Sequence, residues 1–205
     1  NNTAVGARSM EMATGGNQNT AIGYKTLFEN IDGSQNTAIG FESLKSNRTG
    51  IKNTAFGSKT LQANISGSNN TAFGYQSLMN NTSGNRNTAV GVNSSKNLTT
   101  GSDNTSIGFI SLQNNISGSN NTAVGTGALF AGTELESNTA IGIRALRNST
   151  NANNNTAFGY EALNQNTTGN RNTAVGYRSL YSNITGNGNT GIGAFTDVLA
   201  DGYFN

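Results

Sequence analysis

Large apolar side chains recur along the chain at fixed stations: Val5, Ile22, Ile39, Phe56, Phe73, Val90, Ile107, Val124, Ile141, Phe158, Val175 and Ile192, always 17 residues apart. Each follows Asn-Thr-Ala and precedes Gly, with Ser106 and Gly191 the only replacements for Ala. With Asn as position 0, the unit reads N-T-A-[VIF]-G-x-x-[STA]-L-x-x-N-x-[ST]-G-x-x, giving eleven full units and the start of a twelfth. Leu fills position 8 in nine units, and Met10 and Ser95 fill it in the others. A register this strict marks stacked identical units rather than a disordered low-complexity chain.

Seventeen residues are too few for two helices and a turn, and no 3.6-residue apolar period exists. The stretch T-A-[VIF]-G-x alternates large and small. It predicts a short strand with Thr, the aliphatic and position 5 on one face, and Ala and Gly on the other. The expected fold is therefore all-β: a parallel β-solenoid, or β-roll, with 17 residues per coil and about 11–12 coils. Two short strands and two corners per coil are expected. Gly at positions 4 and 14 would supply corner dihedrals or close backbone approach. Asn at positions 0 and 11 suits turns. Stacking turns each row into a ladder, foremost that of Asn19, Asn36, Asn53, Asn70, Asn87, Asn104, Asn121, Asn138, Asn155 and Asn172. A coil spacing of about 4.8 Å gives a rod of roughly 55 Å.

The repeat is continuous over residues 1–188, and 189–205 reads as a degenerate final coil or a transition to a missing segment. Neither end carries the polar cap an exposed solenoid end needs, so a longer chain is expected. In the unit 87–103, Ser95 takes the Leu slot and Leu98 is expected to restore the core contact. The units 121–137 and 138–154 lose the position-14 Gly (Leu135, Ala152) and the position-11 Asn (Gly132, Ser149). None changes length, so each disturbance should stay within one corner.

One coil is expected to bury an aliphatic or Phe, one Leu and some Ala. At about 25 cal/mol per Å² this hardly offsets about 1–2 kcal/mol of backbone entropy per ordered residue. Neighbouring chains are the expected second source of stability. Position 5 carries Tyr24, Phe41, Tyr75, Phe109, Tyr160 and Tyr177, with Val92 and Ile143. A row this apolar asks for a partner, most simply in a homotrimer.

Composition narrows the chemistry. The 205 residues carry a net charge of +2 and include 36 Asn and 27 Gly, but no Pro, Cys, His or Trp. No His- or Cys-based nucleophile can form, nor a zinc or iron–sulfur site. The ten carboxylates build no row of their own, and pairs such as Glu29 with Asp32 or Glu134 with Glu136 lack partners in neighbouring units. The expectation is no catalytic site, no cofactor and no metal. No apolar run approaches the roughly 20 residues of a membrane span. Dispersed Lys and Arg argue against a nucleic-acid surface.

Units such as Asn70-Thr-Ala-Phe-Gly-Tyr-Gln-Ser-Leu-Met-Asn-Asn-Thr-Ser-Gly84 and Asn172-Thr-Ala-Val-Gly-Tyr-Arg-Ser-Leu-Tyr-Ser-Asn-Ile-Thr-Gly186 resemble shaft repeats of bacterial surface and phage tail-fibre-like proteins. Such proteins end in an endosialidase-type intramolecular chaperone. The A-[VI]-G core is also similar to head repeats of trimeric autotransporter adhesins, whose unit is shorter. The resemblance implies an extracellular, cell-surface or virion fibre, trimeric and non-enzymatic, that holds a receptor- or glycan-binding region beyond this segment away from a surface.

A binding role is the alternative expectation. The position-5 aromatics could stack on sugar rings, although Val92, Ile143 and Ala7 in the same row favour interchain packing. The unbroken Thr row, Thr3 to Thr190, resembles the hydroxyl ranks of ice-binding solenoids. Arg8, Lys25, Lys59, Arg144 and Arg178 at position 6 could attract anions, but Glu42 and Glu161 interrupt them. Sequons such as Asn47-Arg-Thr49, Asn64-Ile-Ser66, Asn115-Ile-Ser117 and Asn183-Ile-Thr185 follow automatically from an Asn row preceding a Ser/Thr row.

Overall fold

The computed structural model describes residues 1–197, and residues 198–205, the last part of the degenerate tail, lie outside the described residues. The fold is an all-β parallel solenoid of about eleven turns with 17 residues per coil. Twelve strands, β1 (Thr3–Val5) through β12 (Thr190–Ile192), form one parallel sheet in strict sequence order. Register is uniform: Thr pairs with Thr, position 2 with position 2, and aliphatic with aliphatic, as in Thr71↔Thr88, Ala72↔Ala89 and Phe73↔Val90.

Each coil holds one strand of three residues, not the two expected. The other wall is a run of turns in which positions 6, 8 and 16 are left-handed: Lys59 has φ 58°, Leu61 φ 47° and Lys52 φ 56°. Its backbone is nevertheless stitched from coil to coil. Lys59 N–H donates to the Phe41 carbonyl of the preceding coil (2.8 Å), and Leu61 N–H donates to Ser77 of the following one (3.1 Å). The left-handed residues are therefore not the row-0 and row-11 Asn that turn chemistry suggested. Those Asn point inward and serve as ladder rungs.

The coil interior is narrow, which decides what faces in. Ala at position 2, Leu at position 8 and the small residue at position 7 are fully buried in nearly every coil. The Val, Ile and Phe of position 3 were expected to share in the core, yet they face outward, nine of the twelve being exposed. Strand alternation puts either Ala or the large residue inside. Only Ala fits between a strand three residues long and the Leu stack opposite. Position 7 is Ser, Thr or Ala because a hydroxyl there can cross the interior: Ser77 Oγ donates to the Ala89 carbonyl at 2.9 Å.

Leu at position 8 is left-handed in all nine of its coils, with φ between 47° and 52°. No β-branched residue occupies that row, although Val and Ile fill position 3 freely. A branched Cβ clashes in the left-handed region, whereas Leu branches one atom further out. Leu61→Ile conserves volume but is expected to cost about 2 kcal/mol, against well under 1.5 kcal/mol for Leu61→Met. Denaturant unfolding of the two variants checks the ordering.

The irregular coils keep their register. In the unit 121–137, Leu135 is fully buried over Gly132, so a large residue at position 14 is matched by a missing side chain at position 11. Its carbonyl still accepts from Asn121 Nδ2 and its N–H donates to Asn115 Oδ1 (3.1 Å). Leu98 is likewise buried at position 11 of the coil that lost its Leu. Buried residues form two apolar clusters, one running from Ala21 to Leu98 and the other from Leu112 to Leu180.

Candidate functional site

The ten row-0 Asn from Asn19 to Asn172 are brought together as one buried ladder. Asn70 is typical: its Nδ2 donates to Asn53 Oδ1 (3.2 Å) and to the Gly84 carbonyl of its own coil (2.8 Å). Its Oδ1 accepts from both the backbone N–H (2.9 Å) and Nδ2 (3.2 Å) of Asn87. Both amide hydrogens and both lone pairs are used, which makes a buried primary amide affordable. This row closes each coil on itself and ties it to the next. A second inner ladder at position 11 links Asn30, Asn47, Asn64 and Asn81 at 2.7–2.9 Å. Asn47, Asn64, Asn115 and Asn183 all belong to this buried row, so these sequons hold no accessible acceptor nitrogen.

Positions 3 and 5 form the surface feature that stands out. From the strand and from the residue just past the position-4 Gly, their side chains emerge side by side in every coil. Tyr24, Phe41, Tyr75, Phe109, Tyr160 and Tyr177 are between 37 and 52% exposed, and Phe56 and Phe158 in the neighbouring row exceed 50%. The result is an apolar ribbon that runs the length of the rod, roughly 55 Å, two side chains wide except where Ser58 and Thr126 stand at position 5. Monomeric proteins seldom leave a contiguous patch of this extent open. Of its two rows, the sequence pointed to position 5 and missed position 3. The available signal was the invariant small residue beside position 3, which marks the inward side. Ile31, Ile65, Ile116 and Ile184 at position 12 are exposed on another face and were also missed.

Aromatic rings of the ribbon cover one another along the axis. Tyr160 and Tyr177 stack with centroids 5.3 Å apart and planes 8° from parallel, and Tyr24 and Phe41 stack at 5.5 Å and 15°. Phe195 meets Tyr177 edge-on. Tyr75 and Phe109 are separated by Val92 and lie in no such stack among the described residues. In the stacked pairs one face of each ring is taken by its neighbour, and a sugar needs such a face. The Thr row lies on the strands, half-buried in most coils, and its hydroxyls make no hydrogen bond within the described residues. Beside it the ribbon steps between Val, Ile and Phe from rung to rung, so the face is uneven.

The ion pairs are local, within a coil or between adjacent coils. Glu161 lies between Arg144 (3.3 Å) and Arg178 (2.8 Å), each one coil away along row 6, and its side chain is only 6% exposed. Burial pushes its carboxyl up, but the hydrogen bonds from Arg178 and Arg144 outweigh that and hold it below the ordinary glutamate value. Arg178 also lies over the rings of Tyr177 and Tyr181 at 5.6 and 5.1 Å. Because the folded carboxyl is the stronger acid, its contribution is complete above the ordinary glutamate range and is lost as pH falls through the depressed value. Acidification is thus expected to lower the melting temperature less in Glu161→Gln than in the parent, and thermal scans at neutral and acid pH test it. No group of His, Cys, Asp and Glu among the described residues could hold a metal ion. No family model, curated protein or solved structure matches the chain.

Proposed function

We propose that the chain is a stiff shaft segment of an extracellular fibre, non-enzymatic, and assembled as a homotrimer along the ribbon of positions 3 and 5. One observation carries this reading: an apolar ribbon, unbroken along position 3 and interrupted along position 5 only by Ser58 and Thr126, on a rod whose other faces are mostly polar. A straight ribbon matches the same ribbon on a parallel copy rung for rung, and burying it removes a large apolar area from water. The rod itself suits mechanical work, since successive coils are bonded to one another through the backbone and the outer Asn ladder.

Light scattering is the test. The expected solution mass is about three times 21.2 kDa. Placing Lys at Ile107 and Phe109 should dissociate the assembly while the circular dichroism of the rod persists. A monomeric parent chain would overturn the proposal. Binding to ice or to glycans is the competing reading. The stacked rings and the uneven Thr face weigh against it, and thermal hysteresis or glycan capture by the isolated rod would reverse that judgement.

A further inference from the structure

The sixth coil, residues 87–103, departs from the repeat at points that meet in space. Ser95 stands at the Leu position, and its hydroxyl donates to Ser106 (2.7 Å), which stands at the Ala position of the next coil. Ser94 reaches the Ser106 hydroxyl (2.7 Å) and the Ser111 hydroxyl (3.0 Å). Ser95 and Ser106, the latter bonded to the ordinary position-7 hydroxyl of Ser94, therefore interrupt the column of Ala and Leu, and Ser111 extends the hydroxyl cluster to the next coil. Leu98 packs with the first apolar cluster and Leu112 begins the second, and the two do not join. The inner Asn ladder stops at the same level, leaving Asn81 Oδ1 buried without a hydrogen-bond partner.

The sheet side of the same coils is intact. Thr88, Ala89 and Val90 pair with Thr105, Ser106 and Ile107. The outer Asn ladder continues from Asn87 to Asn104 (3.1 Å) and from Asn104 to Asn121 (3.0 Å). Opening the rod between two Leu-bearing coils exposes apolar surface that water cannot compensate. Serine hydroxyls exchange one another for water at small net cost. In a linear array, where each coil is held only by its neighbours, such a difference acts locally.

We propose that coils six and seven form a hinge that opens on the face opposite the sheet and divides the rod into two cooperative halves. The sheet and the outer Asn ladder are its closed edge, and the serine cluster is its opening edge. This reading does not depend on self-association.

Native-state hydrogen exchange on the full chain tests it. A uniform array frays from its ends, so its middle coils are the best protected. The hinge predicts a minimum there instead. Amides of Ser95, Asn97 and Thr99, which donate across the joint to Ser111, Gln113 and Ile116, should exchange at least tenfold faster than the matching Leu61, Ala63 and Ile65. Amides of Thr88 and Gly108 on the sheet side should stay as protected as those of Thr71 and Gly74. Protection that is flat or highest at these coils overturns the hinge, as does equal loss on both sides. Restoring the repeat with Ser95→Leu, Leu98→Asn and Ser106→Ala should abolish the minimum. A minimum that persists in the folded variant removes the serines as its cause, and if the variant does not fold the parent profile decides alone.

Discussion

Gly74→Ala is expected to destabilise the rod by about 3–5 kcal/mol. Two costs coincide. The backbone at Gly74 has φ +123°, where an L side chain is strained, and an added Cβ would lie 2.7 Å from the Gly91 carbonyl oxygen of the next coil. That oxygen belongs to a backbone that cannot move without breaking the coil-to-coil bonds on either side. Every position-4 Gly followed by another coil shares this geometry, which is the physical reason that the row never varies. Gly188 is the internal control: its φ is +70° and an added Cβ there would meet nothing. Gly188→Ala should cost only about 1 kcal/mol. Urea unfolding of both variants measures the gap.

Asn70→Ala should cost a comparable 3–5 kcal/mol for a different reason. It leaves the buried N–H of Asn87 without its acceptor, at about 1–3 kcal/mol, and removes three further buried hydrogen bonds at about 0.5–1.5 kcal/mol each, while the Asn53 Oδ1 and the Gly84 carbonyl keep only the Asn70 N–H and Asn81 Nδ2. Asn70→Asp keeps the shape but not the donor, setting a carboxylate oxygen against the Asn53 Oδ1 and the Gly84 carbonyl. It should be at least as damaging at neutral pH and should recover in part on acidification, when the carboxyl can donate. Comparing the three proteins across pH by thermal unfolding separates lost volume from lost hydrogen bonds.

The solenoid was legible because an unbroken 17-residue period has few structural meanings, and strand alternation separated the Ala face from the Thr face without saying which of them points inward. The second wall was not. Its x-[ST]-L pattern alternates as a strand would, yet Leu61 and its equivalents are left-handed turn residues. The absence of β-branched residues at position 8, beside their abundance at position 3, was the unread signal. Position 3 misled through the habit of placing large apolar residues inside. In so narrow a coil the interior selects for size, and the Ala next door carried the information. At coil six the sequence showed Ser95, Leu98 and Ser106 as separate exceptions, since Ser95 and Ser106 lie eleven residues apart and touch only once the coils are stacked.

The stacking itself is open to direct measurement by dipolar electron spin resonance. The chain has no cysteine, so label pairs can be placed at exposed Ser66 and Ser117, three coils apart, and at Ser66 and Thr168, six coils apart. With labelled chains diluted by unlabelled ones, the account predicts backbone separations of about 14 and about 29 Å, doubling with the number of coils. Separations that fail to scale with coil number would contradict it.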